Sequence, residues 1–147
     1  MFDEQLAKLA VQARERAYAP YSGFLVGAAL LTEGGTVYTG VNIENAAYGP
    51  SNCAERTAFF RAVSEGERAF KAIAVAGWRE GRPGFAYPCG MCRQVMMEFC
   101  APDTFLILVT DGTSIRGALL RELLPFGFGP ENLKRGNVEL TNHKFDI

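Results

Sequence analysis

The chain has 147 residues, 48% hydrophobic and 21% charged, with a net charge of −1. That length is about one domain, covering residues 1–147, and is long enough to bury an apolar core without disulfide staples. Lys and Arg are scattered and form no stripe, which argues against a nucleic-acid partner, and no run approaches the roughly 18 apolar residues of a membrane span.

The N-terminus opens with Asp3 and Glu4, where a secretory signal would carry basic residues and an apolar run. Cytosol is therefore the expected compartment. Residues 3–18 predict a helix with Leu6, Leu9, Ala10, Ala13 and Ala17 on one stripe, Asp3 as N-cap and Pro20 as terminator. The segments 24–32 and 36–42 flank "EGG" and read as a hairpin. Residues 51–66 predict a second helix, with Ser51 or Asn52 as N-cap and Gly66 near its end. Residues 70–78 form a buried strand, "RPGFAYP" a loop, and residues 89–100 a third helix. Residues 104–110 are a fourth strand, and "SIRGALL" opens a short fifth strand before a short helix near Leu119–Leu124. The tail after residue 133 is polar and weakly patterned, and is expected to be mobile. Continuous apolar strands alternating with helices predict an α/β fold. It is a three-layer α/β/α sandwich around a mixed sheet of about five strands.

Four cysteines stand at 53, 89, 92 and 100. In a reducing compartment, clustered thiols point to metal or catalysis and not to disulfides. Cys53 begins the second helix, and Cys89 and Cys92 face one side of the first turn of the third. Both helices follow strands or their loops, so their starts can meet at one sheet edge. Three thiolates would then hold one tetrahedral zinc and leave its fourth position open, the arrangement of a catalytic site. Helix N-termini favour thiolates, and Arg56 offers a further positive charge. Glu55, two residues from a ligand, is the candidate base beside the open position.

Blander readings exist for each residue. A lone C-x-x-C also fits a redox dithiol, half a zinc finger or two core cysteines, but a redox dithiol has no need of Cys53. A structural zinc needs a fourth ligand. Cys100 lies roughly 12 Å from Cys92 along the same helix at 1.5 Å per residue, and reads as an inert buried thiol. His143, the only histidine, reads as a solvated tail residue. Glu55 alone could merely favour the helix dipole.

"CAERTA" (53–58) and "PCGMCRQ" (88–94) resemble the paired motifs of the homotetrameric zinc-dependent cytidine deaminases. This class pairs a ligand-x-Glu with P-C-x-x-C and uses the Glu as a non-ligand acid and base. "YSGFLVGAALL" (21–31), "GVNIENAAYGPSNCAERTA" (40–58) and "RELLPFGFGPENL" (121–133) are similar to family segments as well, so the likeness covers most of residues 10–133. The resemblance implies one Zn²⁺ per chain on Cys53, Cys89 and Cys92, with Glu55 as proton shuttle while zinc-activated water attacks C4. Cytidine or deoxycytidine would become uridine or deoxyuridine plus ammonia, in pyrimidine salvage. It further implies that Asn42 and Glu44 bind the ribose hydroxyls, that Phe24 lies beside the pyrimidine, and that the Ala54 backbone N–H meets the pyrimidine carbonyl. Phe128 is implied to reach into a neighbouring subunit's site. Taken alone, Phe24 would be a core strand residue, Asn42 and Glu44 turn residues, and Phe128 a ring folded onto its own core.

Met91 and Tyr87 stand where the family commonly has small residues, and Gly127 where Ser is usual. These departures bear on substrate preference and not on the chemistry. Two rival readings are a deaminase of another small aminopyrimidine nucleoside, and a non-catalytic zinc-binding or RNA-binding module. "NIEN" argues against the first, and the absence of a basic, aromatic-rich surface pattern against the second.

Overall fold

A computed structural model describes residues 2–134. The tail expected to be mobile, apart from Lys134, lies outside the described residues, as does His143. The chain runs α1 (Phe2–Arg14), β1 (Leu25–Thr32), β2 (Val37–Val41), α2 (Ala54–Ser64), β3 (Phe70–Arg79) and β4 (Arg82–Gly84). It continues through α3 (Gly90–Phe99), β5 (Leu106–Thr110), β6 (Ile115–Leu119) and α4 (Leu120–Leu123), then a 3-10 turn at Pro130–Leu133. The sheet order is β2-β1-β3-β5-β6, with the short β4 paired on β3. Among the described strands only β3 and β5 pair in parallel; β1 pairs antiparallel with both β2 and β3, and β5 with β6. The expected mixed α/β sheet of five strands is therefore present, with β4 added inside the segment "RPGFAYP" that reads as a loop.

Alternation along the strands divides the core in two. Val26, Ala28, Leu30, Ile73, Val75, Ile107 and Val109 face α2, α3 and α4 and pack on Phe59, Met96 and Leu120. Ala29, Ala72, Ala74, Ala76 and Leu108 face the other way and receive Leu6 and Ala10 of α1. The alanines on that second face let α1 lie close. A Cβ at Gly27 would come within 2.1 Å of the Ala10 carbonyl oxygen.

The helices are shorter than the sequence predicts. α1 stops at Arg14, well before Pro20, because the chain there leaves the helix to pair elsewhere. The Tyr18 N–H donates to Asn42 O at 3.0 Å, and the Glu44 N–H to Tyr18 O at 2.8 Å. This tertiary pairing overrides the helical pattern through Ala17. Asp3 lies inside α1 and is not its cap. The N-cap of α2 is Cys53, with extended φ −75° and ψ 156°, and neither Ser51 nor Asn52. Asn52 is drawn off by a backbone bridge to Ile43.

β2 and β3 both run antiparallel to β1, so they share a direction. α2 follows β2 directly and α3 follows β3 after the short return strand β4, and the two helices begin at the same sheet edge. Gly40 lets α2 settle onto β2: a Cβ there would meet Ala54 O and Ala58 N at 2.4 Å. Those are backbone atoms and cannot rotate aside. Gly40→Ala should therefore lift the start of α2, lowering stability by about 1–3 kcal/mol and lowering zinc content. Urea denaturation and metal analysis check this; unchanged values for both would show that α2 can move freely.

Candidate functional site

At the shared edge, Cys53 and Cys89 are the N-caps of α2 and α3, and Cys92 lies one turn into α3. Neither N-cap side chain makes a capping bond to its helix's backbone N–H groups, which leaves both thiols free to face each other. The three sulfurs lie within 4.8 Å of one another. Cys53 Sγ is 3.7 Å from Cys89 Sγ, and Cys89 Sγ is 3.6 Å from Cys92 Sγ. Zn–S bonds of about 2.3 Å at tetrahedral angles require sulfurs about 3.8 Å apart. The donor set and its spacing thus fit zinc, with one such site in the chain among the described residues. Cys100 lies outside the cluster, buried, and burial pushes its thiol pKa up.

The electrostatics follow from this packing. Arg56 Nη2 donates to Cys53 Sγ at 3.4 Å, as the sequence leads one to expect of a counter-charge. Burial pulls the Arg56 pKa down, but its bonds to Cys53 and Cys92 outweigh this and hold it above the ordinary value. Its Nε is buried with no partner, a cost that thiolates nearby would offset. The Cys53 thiol is lowered to about 5, chiefly by a hydrogen bond from Cys92, against burial and with help from Arg56. Cys92 is raised, because that same bond holds its proton and because it is buried near the Glu55 carboxylate.

Glu55 is 4% exposed. Burial raises its pKa to about 7, against a hydrogen bond from Cys92. A carboxyl poised near neutrality can both take and give a proton.

A cleft of about 490 Å³ opens in front of the thiols. Phe24, Asn42, Glu44, Cys53, Ala54, Glu55, Arg56 and Cys89 all line it. Ala54 is the first residue of α2, so its N–H has no intrahelical acceptor. The Phe24 ring lies against Gly77, where a Cβ would come within 2.7 Å of its Cζ and 2.6 Å of the Ala86 Cβ. Asn42 and Glu44 are more heavily engaged than their positions in the sequence suggest. Asn42 Oδ1 accepts from Val26 N, and its Nδ2 donates to Phe24 O, both at 2.8 Å. Glu44 Oε1 accepts from the backbone N–H of Tyr21 at 2.9 Å and of Ser22 at 3.0 Å, and Oε2 from the Ser22 hydroxyl at 2.5 Å. These bonds fix the loop before β1 and hold the Glu44 carboxyl below the usual carboxylate pKa, with the Ser22 hydroxyl as the largest cause.

Phe128 does not line this cleft. It is 57% exposed, on a separate groove beside Phe60 and Phe99, and Phe126 is fully exposed. The ring is therefore neither folded into its own core nor part of its own chain's site. Sequence reading missed Ser22, Val26, Val75 and Ala86 in the walls, and took Ser51 and Asn52, which also line the cleft, only as helix caps. Val26 and Val75 read as ordinary strand residues, and nothing in "PYSG" marks Ser22. Tyr87 and Met91, the two departures in the motif, also line the cleft and are partly exposed.

Residues 1–108 match the family described as the cytidine and deoxycytidylate deaminase zinc-binding region. A cytidine deaminase of Sporosarcina psychrophila is 52% identical over 130 residues, covering 88% of this chain and 93% of that protein. One of Halalkalibacterium halodurans is also 52% identical, over 88% of this chain and 96% of its own length. The crystal structure of a cytidine deaminase from Burkholderia pseudomallei superposes with a TM-score of 0.80 at 48% identity, covering 87% of this chain and all of that one.

Proposed function

The chain belongs to the cytidine and deoxycytidylate deaminase family, and from that premise we infer that it hydrolyses cytidine or deoxycytidine to the uracil nucleoside and ammonia. The observation that carries this reading is the three-sulfur triangle with a buried Glu55 beside it. Cys53, Cys89 and Cys92 would hold the zinc, which when bound would supply the Lewis acid that makes water nucleophilic at neutral pH. Glu55 takes a proton from the attacking water and delivers it to N3 of the cytosine. Glu55 then takes the proton of the hydroxyl now on C4 and passes it to the exocyclic nitrogen, so that the C4 carbonyl forms as the C4–N bond breaks and ammonia leaves. Arg56 offsets thiolate charge. The Ala54 N–H donates to the pyrimidine carbonyl and Phe24 covers the ring face. Asn42 and Glu44 place the sugar with the bonding capacity left beyond their loop contacts.

Charge favours a free nucleoside over a nucleotide. Arg56 is the one cation among the described lining residues, and it bonds Cys53. A 5′-phosphate would find no counter-charge there, and Glu44 would repel it. No helix among the described residues is long and apolar enough to cross a membrane. A cytosolic role in pyrimidine salvage suits this substrate.

The deciding experiment is an ultraviolet assay of cytidine loss, with and without a zinc chelator. Rapid, chelator-sensitive loss of cytidine, with free cytosine a poor substrate, is the expected result. No turnover of either nucleoside would end the reading. Tyr87 and Met91 at the cleft keep one rival in view, a related aminopyrimidine nucleoside, and turnover of such analogues in the same assay separates the two.

The exposed Phe128 supports a homotetramer in which each site borrows this ring from a neighbour, with closed dihedral symmetry as the common form for four chains. Phe128→Ala should weaken substrate binding and leave zinc in place. Reassembling it with a zinc-ligand variant should restore part of the activity, through sites that receive both intact parts. A fully active monomer in light scattering at assay concentration would contradict this.

A further inference from the structure

The two residues after the last cysteine, Arg93 and Gln94, have no part in the chemistry above, yet their side chains hold the backbone at three places. Arg93 Nε donates to Pro88 O at 2.7 Å, and its Nη1 donates to Leu123 O at 2.6 Å. Gln94 Nε2 donates to Phe128 O at 2.8 Å. Pro88 is buried and directly precedes Cys89, the most exposed of the three thiols. Cys89 has little packing of its own, so its place depends on the backbone turn that carries it. Leu123 ends the four-residue α4, whose final carbonyls have no partners within the helix. Between Leu123 and Phe128 the chain presents Phe126 to solvent with φ +53°, a left-handed conformation that a bulky residue adopts only when its surroundings enforce it.

We infer that Arg93 is a positioning residue: its forked guanidinium ties the turn carrying Cys89 to the base of the loop carrying Phe126 and Phe128, and Gln94 fastens the loop's far end. One side chain would thus set both a chain's own metal turn and the aromatic loop it presents outward. Only an arginine can do this from one position, because its planar fork donates along two directions at once while a lysine offers a single point charge. The consequence for a neighbouring active site rests on the assembly proposed above. The link itself does not, and its test needs no catalysis.

The test reads two quantities in the zinc-loaded protein: zinc release to a chromogenic chelator, and hydrogen exchange of a peptide spanning residues 120–132. Its reporters are the Leu124 amide, bonded to Leu120 O, and the Gly129 amide, bonded to the Asn132 side chain. Arg93→Ala should speed zinc release about tenfold or more, the scale for losing a group that orients a metal ligand. It should also speed exchange at Leu124 by about tenfold, the scale of one charge-assisted hydrogen bond. Gln94→Ala should speed exchange at Gly129 and leave zinc release unchanged. Movement of only one quantity in Arg93→Ala would overturn the link, as would equal zinc loss in Gln94→Ala, which would mean that α3 had loosened as a whole. Should Arg93→Ala not fold, Arg93→Lys decides: it keeps the charge but not the fork, so at least one quantity must rise, and wild-type values for both overturn the proposal. If the wild type fails to deaminate cytidine, the functional reading falls while both measurements still judge Arg93.

Discussion

Replacing Glu55 by Gln should leave about one zinc per chain and reduce turnover by at least about 10³-fold, within the range for lost general acid–base catalysis. Gln is nearly isosteric with Glu and still accepts and donates hydrogen bonds, so the packing around a side chain only 4% exposed is preserved. What it cannot do is take a proton from water and pass it to N3. The loss should fall on kcat more than on KM, because the carboxylate acts on the transition state and not on the sugar. Metal analysis and steady-state kinetics on the same preparation check this. Near-normal kcat would remove Glu55 from the mechanism, and loss of zinc would mean that Gln had disturbed the thiols instead.

The second large effect is on the metal. Cys53→Ala removes one of three donors and the sulfur that Arg56 contacts at 3.4 Å. Losing a group behind a ligand costs about 10–100-fold in metal affinity, so losing the ligand itself should cost more than about 100-fold and abolish chelator-sensitive activity. Cys100→Ser is the matched control. Cys100 is buried outside the sulfur triangle, so its variant should retain zinc and turnover and show at most a modest loss of stability. Zinc loss on removing Cys100 would place it among the ligands, giving a closed site unsuited to hydrolysis. A competition assay with a chromogenic chelator distinguishes the outcomes.

Much of the fold was legible because its strands are continuous and apolar and its helices carry a clear stripe. The boundaries were less so. The stripe of α1 continues through Ala17 in sequence, but backbone pairing of Tyr18 with Asn42 and Glu44 ends the helix near Arg14. Such pairing joins residues some two dozen positions apart, and no local pattern records it. The short β4 was hidden for a similar reason. "RPG" has no strand pattern of its own and pairs only because β3 offers its edge.

The sequence by itself determined the donor set. Three cysteines, a Glu two residues after the first and an Arg beside it are enough to propose a zinc site with a base, because ligand type and helical spacing are local properties. Tertiary structure alone decided that the three sulfurs meet. That depends on β2 and β3 both lying antiparallel to β1, so that they end at one edge where α2 and, after the return strand β4, α3 begin, and on Gly40 letting α2 settle against the sheet. It also decided that Asn42 and Glu44 hold the loop before β1, and that Phe128 points away from its own cleft. Sequence lists the groups that can bond; which of them face each other is set by strand direction and by the contacts that buried backbone must satisfy.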